Sequence, residues 1–113
     1  MKIGETIYYC KKIDGEVEEY EAPQKIVTKF NFFTIMPNRA YADIQVYGKD
    51  IKKQYTAYAN YQIWRDTFKE GDRFYIDNLE PLPNEENGKN ANAEIDGVSY
   101  DNLFVKLSIK QLV

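Results

Sequence analysis

Carboxylates and phenols are the chemistry-bearing side chains of this chain, and histidine is absent from it. That absence removes the commonest general base and the commonest metal ligand. A cysteine or serine nucleophile would have no imidazole to activate it, and there is no Gly-x-Ser-x-Gly elbow. Neither a phosphate-binding loop nor a Gly-x-Gly-x-x-Gly turn is present, and Cys10, the only cysteine, has no second thiol with which to hold zinc. The paired carboxylates Glu18 with Glu19 and Glu85 with Glu86 stand in polar stretches, where solvated acids are expected rather than a catalytic pair. Asp72, Asp77 and Asn78 lack the alternating oxygen spacing and terminal glutamate of a calcium loop. The residues therefore point to a protein that is not an enzyme, with no catalytic group, cofactor or metal.

One constellation points to binding. Tyr55, Tyr58, Tyr61 and Trp64, with Lys49, Lys52, Lys53 and Arg65 nearby, suit a stacking platform for single-stranded nucleic acid on an oligonucleotide-binding barrel. Two observations oppose it. In an extended strand Tyr55 and Tyr61 face away from Tyr58, and a net charge of -3 argues against the basic footprint that phosphates require. The 10 tyrosines and 6 phenylalanines favour strands and supply more aromatic surface than one small core needs. The surplus suits contacts with other protein chains.

These side chains need a scaffold, and period-two patterning supplies it. Ile3 to Ile13 reads as a strand, with Asp14-Gly15 as a two-residue hairpin turn and the acidic Glu16 to Glu21 as a solvated return arm. Ile26 to Met36 reads as one strand apolar on both faces. Pro37-Asn38-Arg39 turns the chain, and Tyr41 to Tyr47 follows with Ala42, Ile44 and Val46 inside. Lys53 to Tyr61 puts small alanines between tyrosine rings on one face, as the curved interior of a barrel demands. Gln62 to Lys69 allows a single helical turn. Lys69 to Asp77 reads as an exposed charged turn feeding a strand with Phe74 and Ile76 inward, and residues 78–90 read as a long exposed loop. Ala91 to Tyr100 contains a bulge near Gly97, Asp101-Asn102 turns unless Asp96-Gly97 takes the hairpin and shifts the register, and Leu103, Val105, Leu107 and Ile109 form the clearest inward face.

The fold expected is all-β and mainly antiparallel: a small barrel or sandwich of about 6–8 strands with at most one helical turn. Its 113 residues are expected to form one β domain. A lone cysteine needs no oxidising compartment, and no apolar run approaches the roughly 20 residues of a membrane span. Assembly in a cytoplasm and no membrane partner are the corresponding expectations.

The order of features, through Val46-Tyr47-Gly48-Lys49-Asp50-Ile51, the tyrosine strand, Phe68 to Asp77, Ala91-Asn92-Ala93 and Asn102-Leu103-Phe104-Val105, resembles the small head-tail connector proteins of long-tailed bacteriophages, in particular the head-closure or stopper class. That resemblance implies a virion subunit assembled in the host bacterial cytoplasm. Many copies would form a homo-oligomeric ring beneath the portal, retain double-stranded DNA without gripping it, and dock the tail. Its partners would be other connector and tail proteins. A tail-completion or neck protein of the adjoining ring is the neighbouring alternative. The matching turns, Gly48 with Asp50 and Gly71 with Asp72, are scaffold, so no catalytic residue carries over. The lateral interface expected comprises Phe30, Phe32, Phe33 and Ile35. The turn Pro37, Asn38 and Arg39 and the loop residues Pro83, Asn84, Glu85, Glu86, Asn87 and Gly88 are expected to reach towards the lumen or an adjoining ring. Phe33→Asp is then expected to block assembly while sparing the monomer.

Overall fold

A computed structural model describes residues 5–15, 17–37 and 54–112. Its strands are β1 (Thr6–Cys10), β2 (Lys12–Ile13), β3 (Glu19–Tyr20), β4 (Gln24–Val27), β5 (Phe33–Pro37), β6 (Gln54–Asn60), β7 (Arg73–Tyr75), β8 (Ala93–Tyr100) and β9 (Phe104–Gln111), with one short helix, α1 (Tyr61–Trp64). A 7-stranded antiparallel sheet in the order β4-β1-β7-β8-β9-β6-β5 curls into a half-barrel, and β2 with β3 forms a separate hairpin. The all-β, mainly antiparallel expectation holds. Strands turn one face inward because apolar residues alternate: Tyr55, Ala57 and Ala59 of β6 and Val105, Leu107 and Ile109 of β9 are all buried. The alanines leave room on the concave face for the rings of Phe33, Trp64, Phe68 and Phe74, whose centroids lie 5.3 to 6.3 Å apart in the contacting pairs. Such offset and edge-on contacts suit ring quadrupoles.

The run from Ile26 to Met36, expected as one strand, is two strands at opposite edges of the sheet, joined by the turn 28–32. Asn31 makes the reversal possible. Its side-chain oxygen accepts from Val27 N at 2.8 Å, while Phe30 N and Asn31 N both donate to Val27 O at 2.9 Å. The indole of Trp64 donates to Asn31 O at 2.7 Å, and Asn60 N donates to Phe32 O at 3.1 Å. The curl brings the two edges near enough for five residues to bridge them, and these bonds hold the bridge to the helix.

Both faces of β1 are covered. Ile7 and Tyr9 enter the main core, whereas Cys10, with Tyr8 against it, joins Tyr20, Tyr75 and Ala91 in a second cluster on the outer face. The hairpin and the 78–90 loop form that outer layer. The hairpin differs from expectation in its turn, since Lys12 pairs with Tyr20 and Ile13 with Glu19, a wider reversal than two residues at Asp14-Gly15. The bulge falls between Ile95 and Gly97 as expected. Leu103 ends outside the strand and exposed, because the Asp101 carboxylate captures Leu103 N at 2.8 Å and Phe104 N at 2.6 Å and delays the ladder to Phe104. The strand expected at Tyr41 to Tyr47, with the Gly48-Lys49-Asp50 turn, lies outside the described residues.

Phe33 is 2% exposed. Phe33→Asp should therefore unfold the monomer rather than spare it, at a cost above about 4 kcal/mol, seen as loss of a cooperative urea transition. Asn31→Ala, which orphans Val27 N, should cost about 1–2 kcal/mol in the same measurement.

Candidate interaction surfaces

The Lys69–Asp72 turn, expected to be an exposed charged tip, is organised by a carboxylate inside the protein. Gly71 (φ 96°) closes the turn, and Asp72 is 0% exposed. Its Oδ2 accepts from the Tyr9 hydroxyl at 2.5 Å and from Lys69 N at 2.9 Å, and its Oδ1 accepts from Lys12 N at 2.8 Å. It forms no ion pair among the described residues. A buried charge survives when each lone pair meets a donor, and the backbone supplies two here. The group is structural, since Tyr9, its one side-chain partner, is itself buried.

Arg73, expected on the outer face, lies beneath the outer layer and ties it down. Its guanidinium stacks over Tyr20, 4.9 Å from the ring centroid, and donates to Glu18 at 3.0 Å, Glu94 at 3.3 Å and Gly88 O at 3.1 Å. One planar fork with donors on two sides can serve the hairpin, the sheet and the loop at once. Gly88 (φ 74°) lies so close to Tyr20 that a Cβ would meet the ring at 3.0 Å. The loop expected to stand free is therefore anchored at Gly88, while Pro83, Asn84, Glu86 and Asn87 remain exposed and Glu85 is half-buried. Asn87 also donates to Tyr20 O at 3.2 Å, and Glu85 accepts from Leu82 N and Asn90 N.

Burial suppresses the ionisation of four groups here, so each keeps its proton to higher pH. The Cys10 thiol is pushed up to about 11. The Tyr75 phenol reaches about 12, by burial and then by the Glu85 charge. Tyr9 is raised further by burial and by its bond to the Asp72 carboxylate, and Tyr20 by burial and its bond to Glu18. The Tyr75 hydroxyl is buried with no hydrogen bond of normal geometry, although Glu85 and Gly88 are near enough to bias its ionisation. A cavity of about 340 Å³ adjoins it, lined by Tyr8, Pro23, Tyr75, Pro81, Leu82 and Pro83 with Glu80, Glu85 and Asn87.

A second surface is apolar and converges on Asn60. Asn60 caps α1 by accepting from Gln62 N and Ile63 N, and its own N–H holds Phe32 O. It pairs with Phe104, while Tyr61 N holds Leu103 O at 2.9 Å. Phe104 packs edge-on against Tyr58 at 5.9 Å, and Tyr100 against Tyr61 at 6.0 Å. The result exposes Phe30 (70%), Phe32 (63%) and Leu103 (68%) beside Ile63, Tyr100 and Phe104. Phe32 sits at φ 52°, a left-handed conformation that bulky residues avoid.

Of the interface residues expected from sequence, Phe30 and Phe32 lie on this surface and Pro37 is exposed at the end of β5. Phe33 and Ile35 are corrected to the core, because the turn at Phe32 reverses which parity faces in. Asn38 and Arg39 lie outside the described residues. The loop residues Pro83 to Gly88 sit on the outer layer, apart from the Phe32 surface. The nucleic-acid platform is dispersed, since Tyr55 and Trp64 are core residues and only Tyr58 and Tyr61 remain partly accessible. Tyr100, Leu103, Phe104 and Ile63 were missed. The pairing of Leu103-Phe104 with the Asp101 turn was the available signal, since a capped turn exposes the residues it encloses.

No protein-family model, curated protein or solved structure matches this chain.

Asp72→Asn replaces an acceptor with a donor facing Tyr9, Lys12 N or Lys69 N, and should cost about 2–3 kcal/mol in urea denaturation. Raised phenols and thiol stay protonated in the folded chain while the unfolded chain deprotonates from pH 9.0 for the thiol and 10.0 for the phenols. Their contribution is complete below those values and lost as pH rises toward the folded ones. The urea midpoint should hold level to about pH 9 and fall above it. Tyr75→Phe, which removes an unpartnered hydroxyl, should be neutral or stabilising by up to about 1 kcal/mol at neutral pH and should flatten that fall.

Proposed function

We propose that this chain works by contact with other protein chains, as a structural subunit of an oligomeric assembly rather than as an enzyme. The observation that carries the reading is Phe32, a large apolar ring kept exposed and in a left-handed backbone conformation, its carbonyl bound by the Asn60 amide in the ladder that also carries Phe104. Such a conformation costs about 1–2 kcal/mol in a residue with a Cβ, and an exposed ring returns nothing to the monomer. Backbone strain of this kind gathers at functional positions. The resemblance to head-closure proteins supplies the setting: a connector ring between portal and tail in a phage virion, with DNA passing through. An acidic balance of 18 carboxylates against 15 basic residues suits a conduit that does not grip phosphate.

Co-expression with the proteins encoded beside it, followed by native mass spectrometry and negative-stain microscopy, tests this reading. A ring-shaped oligomer or a defined complex with a neighbour is expected. It should be lost in a Phe30→Ser, Phe32→Asn variant whose stability matches wild type within about 1 kcal/mol, since asparagine tolerates the left-handed turn. A variant that assembles like wild type overturns the reading. So does a wild type that forms no protein complex and binds single-stranded oligonucleotides with a steep salt dependence.

A further inference from the structure

The cavity beside Tyr75 combines apolar walls with two carboxylates, of which Glu85 is held by the amides of Leu82 and Asn90 and Glu80 is exposed. Pro23, Pro81, Leu82, Pro83 and Tyr8 form the walls, and Glu80 and Glu85 bring carboxylates to it. Neither carboxylate has an ion pair among the described residues. An ammonium group on an apolar stem, delivered with an apolar neighbour, matches that set of groups: the carboxylates accept, and prolines receive the hydrocarbon.

This chain carries such a group. Lys29 and Phe30 occupy the tip of the β4–β5 turn, both exposed, with the ammonium 5.6 Å from the ring centroid and no ion pair among the described residues. The turn and the cavity cannot meet within one copy. Pro23 precedes β4 and Lys29 follows it, which at strand rise separates them by roughly 15 Å or more on a rigid element. Resting on the oligomeric reading above, we infer that the Lys29–Phe30 turn of one copy seats in the Tyr8–Pro23–Tyr75–Pro81 cavity of the next, with Lys29 paired to Glu80 and Glu85. Two different patches meet in this contact, so it is heterologous: it propagates from copy to copy and closes into a ring when the rotation per copy divides a full turn.

Charge reversal with rescue tests the contact. Lys29 and Glu80 are exposed and make no side-chain hydrogen bond or ion pair among the described residues, so Lys29→Glu and Glu80→Lys should fold as wild type does. In sedimentation velocity over micromolar to millimolar concentrations, the wild type should self-associate. Each reversal should weaken association by at least about tenfold, and the double variant should recover most of that loss. A wild type that stays monomeric, a reversal without effect, or a double variant no better than the singles overturns the contact. Assembly that ignores both reversals but is lost in the Phe30→Ser, Phe32→Asn variant would leave the broader reading standing while removing this one.

Discussion

The Asp72 carboxylate is a full negative charge placed where water cannot reach it, and the fold is arranged so that its oxygens meet donors. Those donors come from separate stretches: the hydroxyl of Tyr9 in β1, the amide of Lys12 at the start of the hairpin, and the amide of Lys69 in the turn before β7. The backbone of the same residue accepts from Ile95 N at 2.8 Å, which ties in β8. Leaving any donor unmet would strand a charge in a medium that solvates it poorly. The corner between β1 and the hairpin, the turn into β7 and the middle of β8 are thereby fixed relative to one another, and the outer layer is built upon that corner.

Arg73, adjacent in sequence, extends the same logic to the opposite face. Where Asp72 is satisfied by donors converging inward, Arg73 spreads its donors outward to the hairpin, the sheet and the 78–90 loop. A loop with two prolines could not form a strand, yet it need not be loose when its Gly88 carbonyl meets Arg73 of the sheet and Gly88 itself packs on Tyr20 of the hairpin. Small domains bury only part of their surface, and a second cluster of Cys10, Tyr20, Tyr75 and Ala91 adds to what one curved sheet can hide.

With the outer layer tied down by polar anchors, an uncovered apolar surface among the described residues lies at the end that carries Phe30, Phe32, Leu103 and Phe104. That end is held by backbone bonds around Asn60 and Asn31, so the rings are presented on a fixed frame. A rigid presentation of aromatic side chains lowers the ordering entropy of association. The acidic, proline-walled cavity lies at the other end of β4, which gives the molecule two unlike surfaces, as a head-to-tail assembly requires.

Alternation made much of the architecture legible. Tyr55, Ala57 and Ala59 against Thr56 and Tyr58, or Val105, Leu107 and Ile109 against Lys106 and Ser108, allow one reading only, because side chains on a strand point to opposite faces in turn. The bulge near Gly97 was legible for a similarly local reason, whereas the helical turn competed with an irregular crossing and the Asp101 turn with a hairpin at Asp96-Gly97. The aromatic surface was half legible: Phe30 and Phe32 were singled out, but Phe33 and Ile35 were placed with them.

Composition and pattern by themselves determined the class of fold, the inward faces of the long strands and the want of an imidazole for acid-base work, since these follow from residue type and near-neighbour spacing. Tertiary structure decided that Ile26 to Met36 breaks at Asn31 and spans the two edges of a curled sheet, because nothing local announces which strands will lie far apart. It decided equally that Asp72 is inside. A charge can be buried only where donors from distant segments converge on it, and that convergence exists only once the chain has folded.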